Sequence, residues 1–471
     1  MIDGRRGARV KPEPGIVIVG GGWAGLSCAA ALAERGLPIT LLEERQRLGG
    51  RACSFADAVT GDEVDNGQHL FMACFNESLR FLRRIGTADL VAFQDNLEVP
   101  LLDPTGRRTA FRFPLLPSPF HLLAAVLGHG ALTLTDKVGL LRSIHPLRRR
   151  VGGAARTARD AGPEPVREAT VEEWLDSMGQ TAGSRRGLWH PMAIATLNED
   201  PARASSLLFE AVLREGLLSG RAGSRLGRSR VPLSRLVDPA LRRYLEERGG
   251  RVILNAAVSR LRLEGGRVRG VKLRDGSEIA ARAVVAAVPH HVLPRILPEE
   301  IPAGDPFFGR VAEMTSSPIL SIHLWYDREV MESSFVGLLD SPIHWIFASR
   351  GALDRKSPAG ERLALVVSGA RDLVERPASE LASLAAAEVR RYLPRAVPAL
   401  LRHTLVIKER LATFAPCAGV GALRLPQETP IPNLVLAGDW TDTGLPGTLE
   451  SAALSGHRGA ELVHERLGRA A

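Results

Sequence analysis

Gly20, Gly22 and Gly25 stand in a GxGxxG pattern behind the apolar run Ile16 to Val19, and Glu43 closes a second apolar run, Ile39 to Leu42. Residue types in that order are suited to holding a dinucleotide. Gly20 lets the chain turn sharply out of a strand, and Gly22 lets the backbone approach a pyrophosphate. Gly25, next to Ala24, lets a helix pack closely on the strand. The carboxylate of Glu43 can accept hydrogen bonds from a ribose, and its charge disfavours a 2′-phosphate. Glycine-rich turns also occur without ligands. The pattern gains its meaning because strand, glycines, helix and acid fall within one βαβ unit.

The elements that must position these residues are spread over the whole chain. At 471 residues it exceeds the size at which one core keeps growing, so two or three structural units are expected. Three separated stretches, 15–90, 236–298 and 413–471, read as one discontinuous nucleotide-binding domain. In the middle stretch a helix is predicted over Pro239 to Arg248. Strands at Val252 to Leu254, Val258 to Leu263, Arg267 to Leu273 and Ala283 to Val288 read as a meander of hairpins. The last stretch offers a strand at Leu434 to Ala437 and a helix from Thr448 to about Leu467. Residues 91–235, read as mostly helical with breaks near 148–165 and 220–232, and residues 305–412 form the inserted substrate domain. Strands at Ile319 to Tyr326, His344 to Ala348, Leu363 to Ser368 and Thr404 to Lys408, with a helix from Ala378 to Tyr392, predict an antiparallel sheet there. The expected fold class is α/β: a Rossmann-like dinucleotide domain with an inserted α+β domain, the substrate lying between the two.

The formal charge of +9 comes almost wholly from dispersed Arg. No aromatic residues interleave a basic patch, so nucleic acid is not an expected partner. Cys28, Cys53, Cys74 and Cys417 show no spacing suited to zinc, and no metal is expected. Few cysteines, with Arg-, Gly- and Pro-rich residues 1–14 in place of a secretory signal, point to the cytoplasm. Phe120 to Leu134 is too short to span a bilayer, and His121, His129 and Gly130 interrupt it. It reads as a buried core helix or as a helix lying on a membrane surface, with Pro114, Pro117 and Pro119 in the loop before it.

Beyond Glu43 the chain carries Arg45, Arg47, Leu48, Gly49, Gly50 and Arg51, then Asp65, Gly67, Gln68 and His69. Near its end stand Gly438 and Asp439, then Gly444, Gly447, Leu449, Glu450, Ser451 and Gly456. These segments resemble the FAD-dependent amine oxidase and carotenoid desaturase superfamily. The resemblance implies FAD, held by the GxGxxG glycines, Glu43, the Arg45 to Arg51 segment, Gly67, Gln68 and His69, and the terminal Gly438, Asp439, Leu449, Glu450 and Ser451. It also places the backbone of Val258 against adenine. Arg45 or Arg51 would donate to phosphate, and Asp439 would bind the ribityl chain. The helix that follows would aim its N-terminal dipole at the flavin pyrimidine.

Trp189-His190-Pro191, Thr196-Leu197-Asn198, Arg230 to Ser234 and Gly438 to Pro446 are similar to a narrower branch, the hydroxysqualene dehydroxylases of hopanoid biosynthesis. That resemblance implies replacement of an isoprenoid hydroxyl by hydrogen, with hydride from reduced FAD and loss of water. Because hydroxide leaves poorly, the reaction needs an acid and a dry pocket. Candidate acids are His69, His190, Asp65 and Asp442. His69 can equally orient the cofactor, His190 can be a core histidine, Asp65 can cap a turn, and Asp442 can shape its loop. His323 and His344 either line the cavity or face outward. No lysine lies between Lys272 and Lys356, as an amine oxidase would place beside its flavin, and no second GxGxxG indicates the electron donor. Further readings remain: a carotenoid-type desaturase or another flavin amine oxidase, and, from a different class, a flavin-free prenyl-lipid carrier resembling GDP-dissociation inhibitors.

Overall fold

The computed structural model describes residues 15–116, 120–151, 167–218, 220–302, 304–349 and 360–468. Residues 1–14, Pro117, Pro119, Lys356 and positions 152–165 of the first break lie outside them. A five-stranded parallel sheet forms the nucleotide-binding half. Strand β1, Ile16–Val19, sits at its centre between β2, Ile39–Leu42, and Ala283–Ala286; Arg251–Ile253 and Leu434–Leu436 form the edges. All four residues of β1 and of Ala283–Ala286 are buried, as expected of strands covered on both faces. Helix α1, Trp23–Glu34, packs on this sheet and against the C-terminal helix Leu449–Gly468. Gly456 permits that crossing, since a Cβ there would strike the Ala24 carbonyl.

The middle stretch departs from the expected meander. Only Val258–Glu264, Arg267–Leu273 and Glu278–Ala280 make antiparallel hairpins, while Arg251–Ile253 and Ala283–Ala286 join the parallel sheet. Apolar strands this short carry no sign of which sheet takes them. The preceding helix also starts earlier than predicted, running Leu233–Glu246 with Pro239 inside it. A mid-helix proline gives up one backbone hydrogen bond. The buried face of Leu236, Val237, Ala240, Leu241 and Leu245 keeps the helix in place.

The second half is built on a seven-stranded sheet in the order Leu401–Phe414, Ser316–Tyr326, Glu361–Ser368, Trp345–Ala348, Phe335–Leu338, Glu98–Leu102 and Arg108–Arg112. All pairings are antiparallel except that of Phe335–Leu338 with Glu98–Leu102. Residues 91–235 are therefore less helical than expected. They supply the last two strands of this sheet, and Val91–Phe93 and Leu226–Ser229 pair in a separate small three-stranded sheet. Helix Ala378–Tyr392 covers the large sheet as predicted.

Candidate cofactor and substrate site

The glycines of the two N-terminal motifs meet. Gly49 N donates to Gly21 O at 2.9 Å, and Gly22 and Gly49 form a parallel bridge. A Cβ on Gly50 would lie 2.9 Å from Gly22 Cα, and one on Gly20 or Gly25 would strike backbone carbonyls. At Gly22, by contrast, a Cβ would find nothing within 4 Å. Three glycines serve close packing, and the fourth borders open space at the N-terminus of α1. A phosphate bound there would find unpaired N–H groups and a favourable dipole.

Glu43 is buried, and burial pushes its pKa up. Its carboxylate accepts from Gly21 N at 2.7 Å and Arg45 N at 2.9 Å, so it pins the glycine turn while keeping lone pairs for a ribose. Arg45 itself is exposed. Leu48 N donates to Asp238 Oδ2 at 3.0 Å, which ties the GGR segment to helix Leu233–Glu246. Val258 begins a hairpin close by, since Ala256 N donates to Glu43 O at 2.9 Å. The geometry thus brings Glu43, the GGR segment and the start of the Val258 strand together.

Arg51 does not stand free for a phosphate. It forms an ion pair with Asp439 and donates to Ala412 O at 2.7 Å. Gly438 N donates to Ser455 Oγ, and Ser451 Oγ to Asp439 O, both at 2.9 Å, so the C-terminal helix grips the segment before it. Leu449 opens that helix, but the Glu450 carboxylate turns away from its own loop. It accepts from Glu77 N and Ser78 N at 2.9 Å each and so caps α2, Asn76–Ile85. An acid inside a glycine-rich motif gave no hint of a helix 373 residues upstream.

Two residues that sequence reasoning missed organise this end of the site. Arg424 is buried, and burial pushes its pKa down to about 10. Its guanidinium donates to the carbonyls of Asp439, Trp440, Thr441 and Leu445 and to Thr443 Oγ1. One side chain thereby sets the loop that carries Asp442, which is half-buried beside it. His290 lies near the Arg51 and Asp439 charges, with Nε2 3.2 Å from Ser316 Oγ; burial pushes it down to about 4. An arginine between two leucines and a histidine after a strand are common, so neither carried a signal.

On the substrate side, Asp65, Gln68 and His69 line one cavity with Arg228, Phe347 and Arg362. Beside it lies an apolar group of Phe335, Phe347, Ala364 and Val366 on the large sheet, with Leu70 and Val99 packed against it. Arg228 donates to Ser334 O at 3.1 Å and Ala348 O at 3.2 Å and sits 5.6 Å over the Phe347 ring. Arg362 donates to Glu63 O at 2.8 Å. Main-chain carbonyls hold both guanidiniums, which keep donors for a ligand. Exposed Arg230, the one the sequence had singled out, follows the end of strand Leu226–Ser229 and does not line this cavity.

The four candidate acids fall in different places. Asp65 Oδ1 accepts from Ser54 Oγ at 2.6 Å and from Leu233 N at 3.0 Å, holding the start of helix Leu233–Glu246; burial pushes its pKa up. Burial, with the Arg51 charge, pushes His69 down to about 4, so its ring is neutral near pH 7. His190 lies 2.9 Å from Glu172, which also binds Arg185, in the helical layer. Neither His190 nor Asp442 lines the cavity of Asp65 and His69. His323 is buried and pushed down to about 3, and half-buried His344 accepts from Ser368 N at 3.0 Å through Nδ1; neither lines the cavity of Asp65 and His69.

Residues 23–464 match the sequence profile of the flavin containing amine oxidoreductases. The chain belongs to that family. It is an FAD-dependent oxidoreductase, and the expectation of a flavin-free carrier gives way. It is 30% identical over 453 residues to the hydroxysqualene dehydroxylase of Rhodopseudomonas palustris, covering 95% of this chain and 97% of that one. It is 27% identical over 466 residues to the 15-cis-phytoene desaturase of Synechococcus elongatus, covering 96% of each. Among solved structures, cyclohexylamine oxidase from Brevibacterium oxydans superposes with a TM-score of 0.72 at 17% identity, over 97% of this chain and all of that one. The expected fold class, a Rossmann-type FAD-binding half with an inserted α+β half, is the one observed.

Proposed function

We propose that this enzyme reduces hydroxysqualene, or an isoprenoid alcohol closely like it, to the hydrocarbon. The carrying observation is the cavity in which Asp65, His69, Arg228 and Arg362 stand beside the apolar wall of Phe335, Phe347, Ala364 and Val366. A hydrocarbon substrate has no use for two guanidiniums at such a place, whereas a long chain with a single oxygen matches both parts. The full-length similarity to a hydroxysqualene dehydroxylase supports the same reading.

In this reading Gly20, Gly22, Ala24, Gly25, Glu43, Gly49, Gly50, Arg51, Gly67, Gln68, Val258, Gly438, Asp439 and Ser451 hold FAD, with Arg51 and Asp439 acting as a pair. Reduced FAD supplies the hydride. Arg228 and Arg362 donate hydrogen bonds to the departing oxygen. Asp65, whose carboxyl burial makes easier to protonate, delivers the proton that turns it into water. Neutral His69 fixes the hydroxyl by a hydrogen bond, and the apolar wall keeps bulk water from the carbon that becomes electron-poor. A C–O bond breaks and a C–H bond forms: the carbon takes up the hydride with its two electrons, and the departing hydroxide takes up a separate proton and leaves as water. Substrates of this kind partition into bilayers, so the reading includes contact with a membrane surface and an electron donor of a kind still to be identified.

The test is anaerobic incubation of the photoreduced holoenzyme with hydroxysqualene. Squalene formed in step with return of the oxidised flavin spectrum is the expected result. The second reading, a desaturase, has the similarity to phytoene desaturase behind it. New double bonds in phytoene with oxidised enzyme, and no squalene in the first experiment, would replace our reading by that one.

A further inference from the structure

Helix α3, Phe120–Gly128, is inside out for a helix on a protein surface in water. Its histidine points inward: His121 is buried against Phe113, ring centroids 4.8 Å apart, beside Ala125 and Val126. Its outer face is apolar, with Phe120 57%, Leu127 49% and Leu123 37% exposed. The loop before it adds Leu115 at 73% and Leu116 at 42%. Helix α4, Leu134–Val151, adds Leu134 at 77% and Val138 at 38%. The histidines and glycine that interrupt this run in the sequence therefore do not interrupt the exposed face, because His121 and His129 are both buried. An apolar face of this kind normally marks an interaction surface.

We propose that this face, from Leu115 to Val138, seats the enzyme in one leaflet of an anionic bilayer. The charges at its rim select lipid over a protein partner. Lys137 Nζ donates to Leu127 O at 2.7 Å and Arg107 to Gly130 O at 2.6 Å, so two cations stand where α3 ends, and exposed Arg142 follows one turn beyond Val138. Apolar side chains flanked by snorkelling cations are the arrangement that suits the boundary between acyl chains and anionic headgroups. No helix among the described residues is long and apolar enough to cross a membrane, so contact is with one leaflet. The core under α3 reaches the substrate side: Val99 packs both against the cluster containing Phe113 and Ala125 and against Phe335, Phe347 and Ala364. Docking there sets the cavity close to the lipid phase. The proposal stands on the surface itself and holds whichever isoprenoid reaction the enzyme performs.

Co-sedimentation of full-length holoenzyme with phosphatidylcholine vesicles, and with vesicles containing 30 to 40 mol% phosphatidylglycerol, about a physiological anionic fraction, tests it. The wild type is expected to pellet with the anionic vesicles, and less so as salt is raised. The double variant Leu123→Glu, Leu127→Glu should lose about tenfold or more in binding while keeping its flavin absorbance and melting temperature, since both side chains already face outward. Charge reversal at Lys137 and Arg142 should weaken binding to anionic vesicles only. Wild-type protein that stays in the supernatant with both vesicles, or a double variant that binds as the wild type does, overturns the proposal. So does a concentration-dependent dimer that the double variant abolishes without vesicle binding, which would assign the face to a second copy of this chain.

Discussion

The cofactor cradle and the substrate cavity are built in opposite ways. The cradle is a backbone device: Gly20, Gly25, Gly49 and Gly50 let main chains touch, and Glu43 and Arg424 hold the turns by accepting from or donating to peptide groups. The cavity is a side-chain device, in which Asp65 and His69 from one region meet Arg228 from a small sheet and Phe347 and Arg362 from the large one. Backbone devices demand particular residue types at fixed spacing. Side-chain devices demand only that distant strands present the right positions to one another, which leaves far more freedom in how the sequence is written.

The contrast can be broken most forcefully at Arg424. Arg424→Met leaves several buried carbonyls without donors, a loss of roughly 3 kcal/mol or more, and the melting temperature should fall by several degrees with loss of bound flavin. A variant that melts like the wild type would show that the loop needs no central donor. Next come the glycines. Gly25→Ala forces a Cβ onto the Gly20 carbonyl and should cost about 1–3 kcal/mol, whereas Gly22→Val has open space and should fold normally yet bind FAD at least tenfold more weakly. Equal effects of the two on folding would remove the distinction between packing and binding glycines.

On the cavity side, Arg228→Met and Arg362→Met should each lower kcat/KM about tenfold to a hundredfold, as expected for loss of a charge-assisted hydrogen bond in the transition state, with flavin content unchanged. Retained activity in both would take the guanidiniums out of the reaction. A smaller effect is expected with pH. Burial holds His69, His290 and His344 near 4 and His323 near 3, below the ordinary 6.5, so the unfolded chain takes up these protons first. Their contribution to stability is fully present above about pH 6.5 and is lost as pH falls from there towards 4. Urea midpoints across that interval should decline, and less steeply in His323→Gln. Last, His190→Ala should change kcat by less than about threefold, as is usual for a partly exposed side chain in a surface ion-pair network; a large loss would restore it as a candidate acid.

Much of this difference was legible in the chain itself. Strand β1, the glycines, Glu43 and helix Ala378–Tyr392 could be placed because periodicity and spacing act over a few residues. The same local view misjudged helix Leu233–Glu246, where packing against the core overrides Pro239. It also read residues 91–235 as mostly helical, because strands such as Glu98–Leu102, with Pro100 inside, show little strand character of their own. Arg51 and Asp439 were both visible, but not that they pair, and Glu450 was visible without the helix it caps.

By itself the sequence determined the cofactor class and the Rossmann-like half of the fold, since a bound dinucleotide dictates where glycine and an acid must stand within one βαβ unit. Only the tertiary structure decided which side chains share the substrate cavity and which face of α3 meets solvent. Those choices rest on strand order and helix rotation, and both are settled by the burial of surfaces hundreds of residues apart rather than by any local preference of the chain.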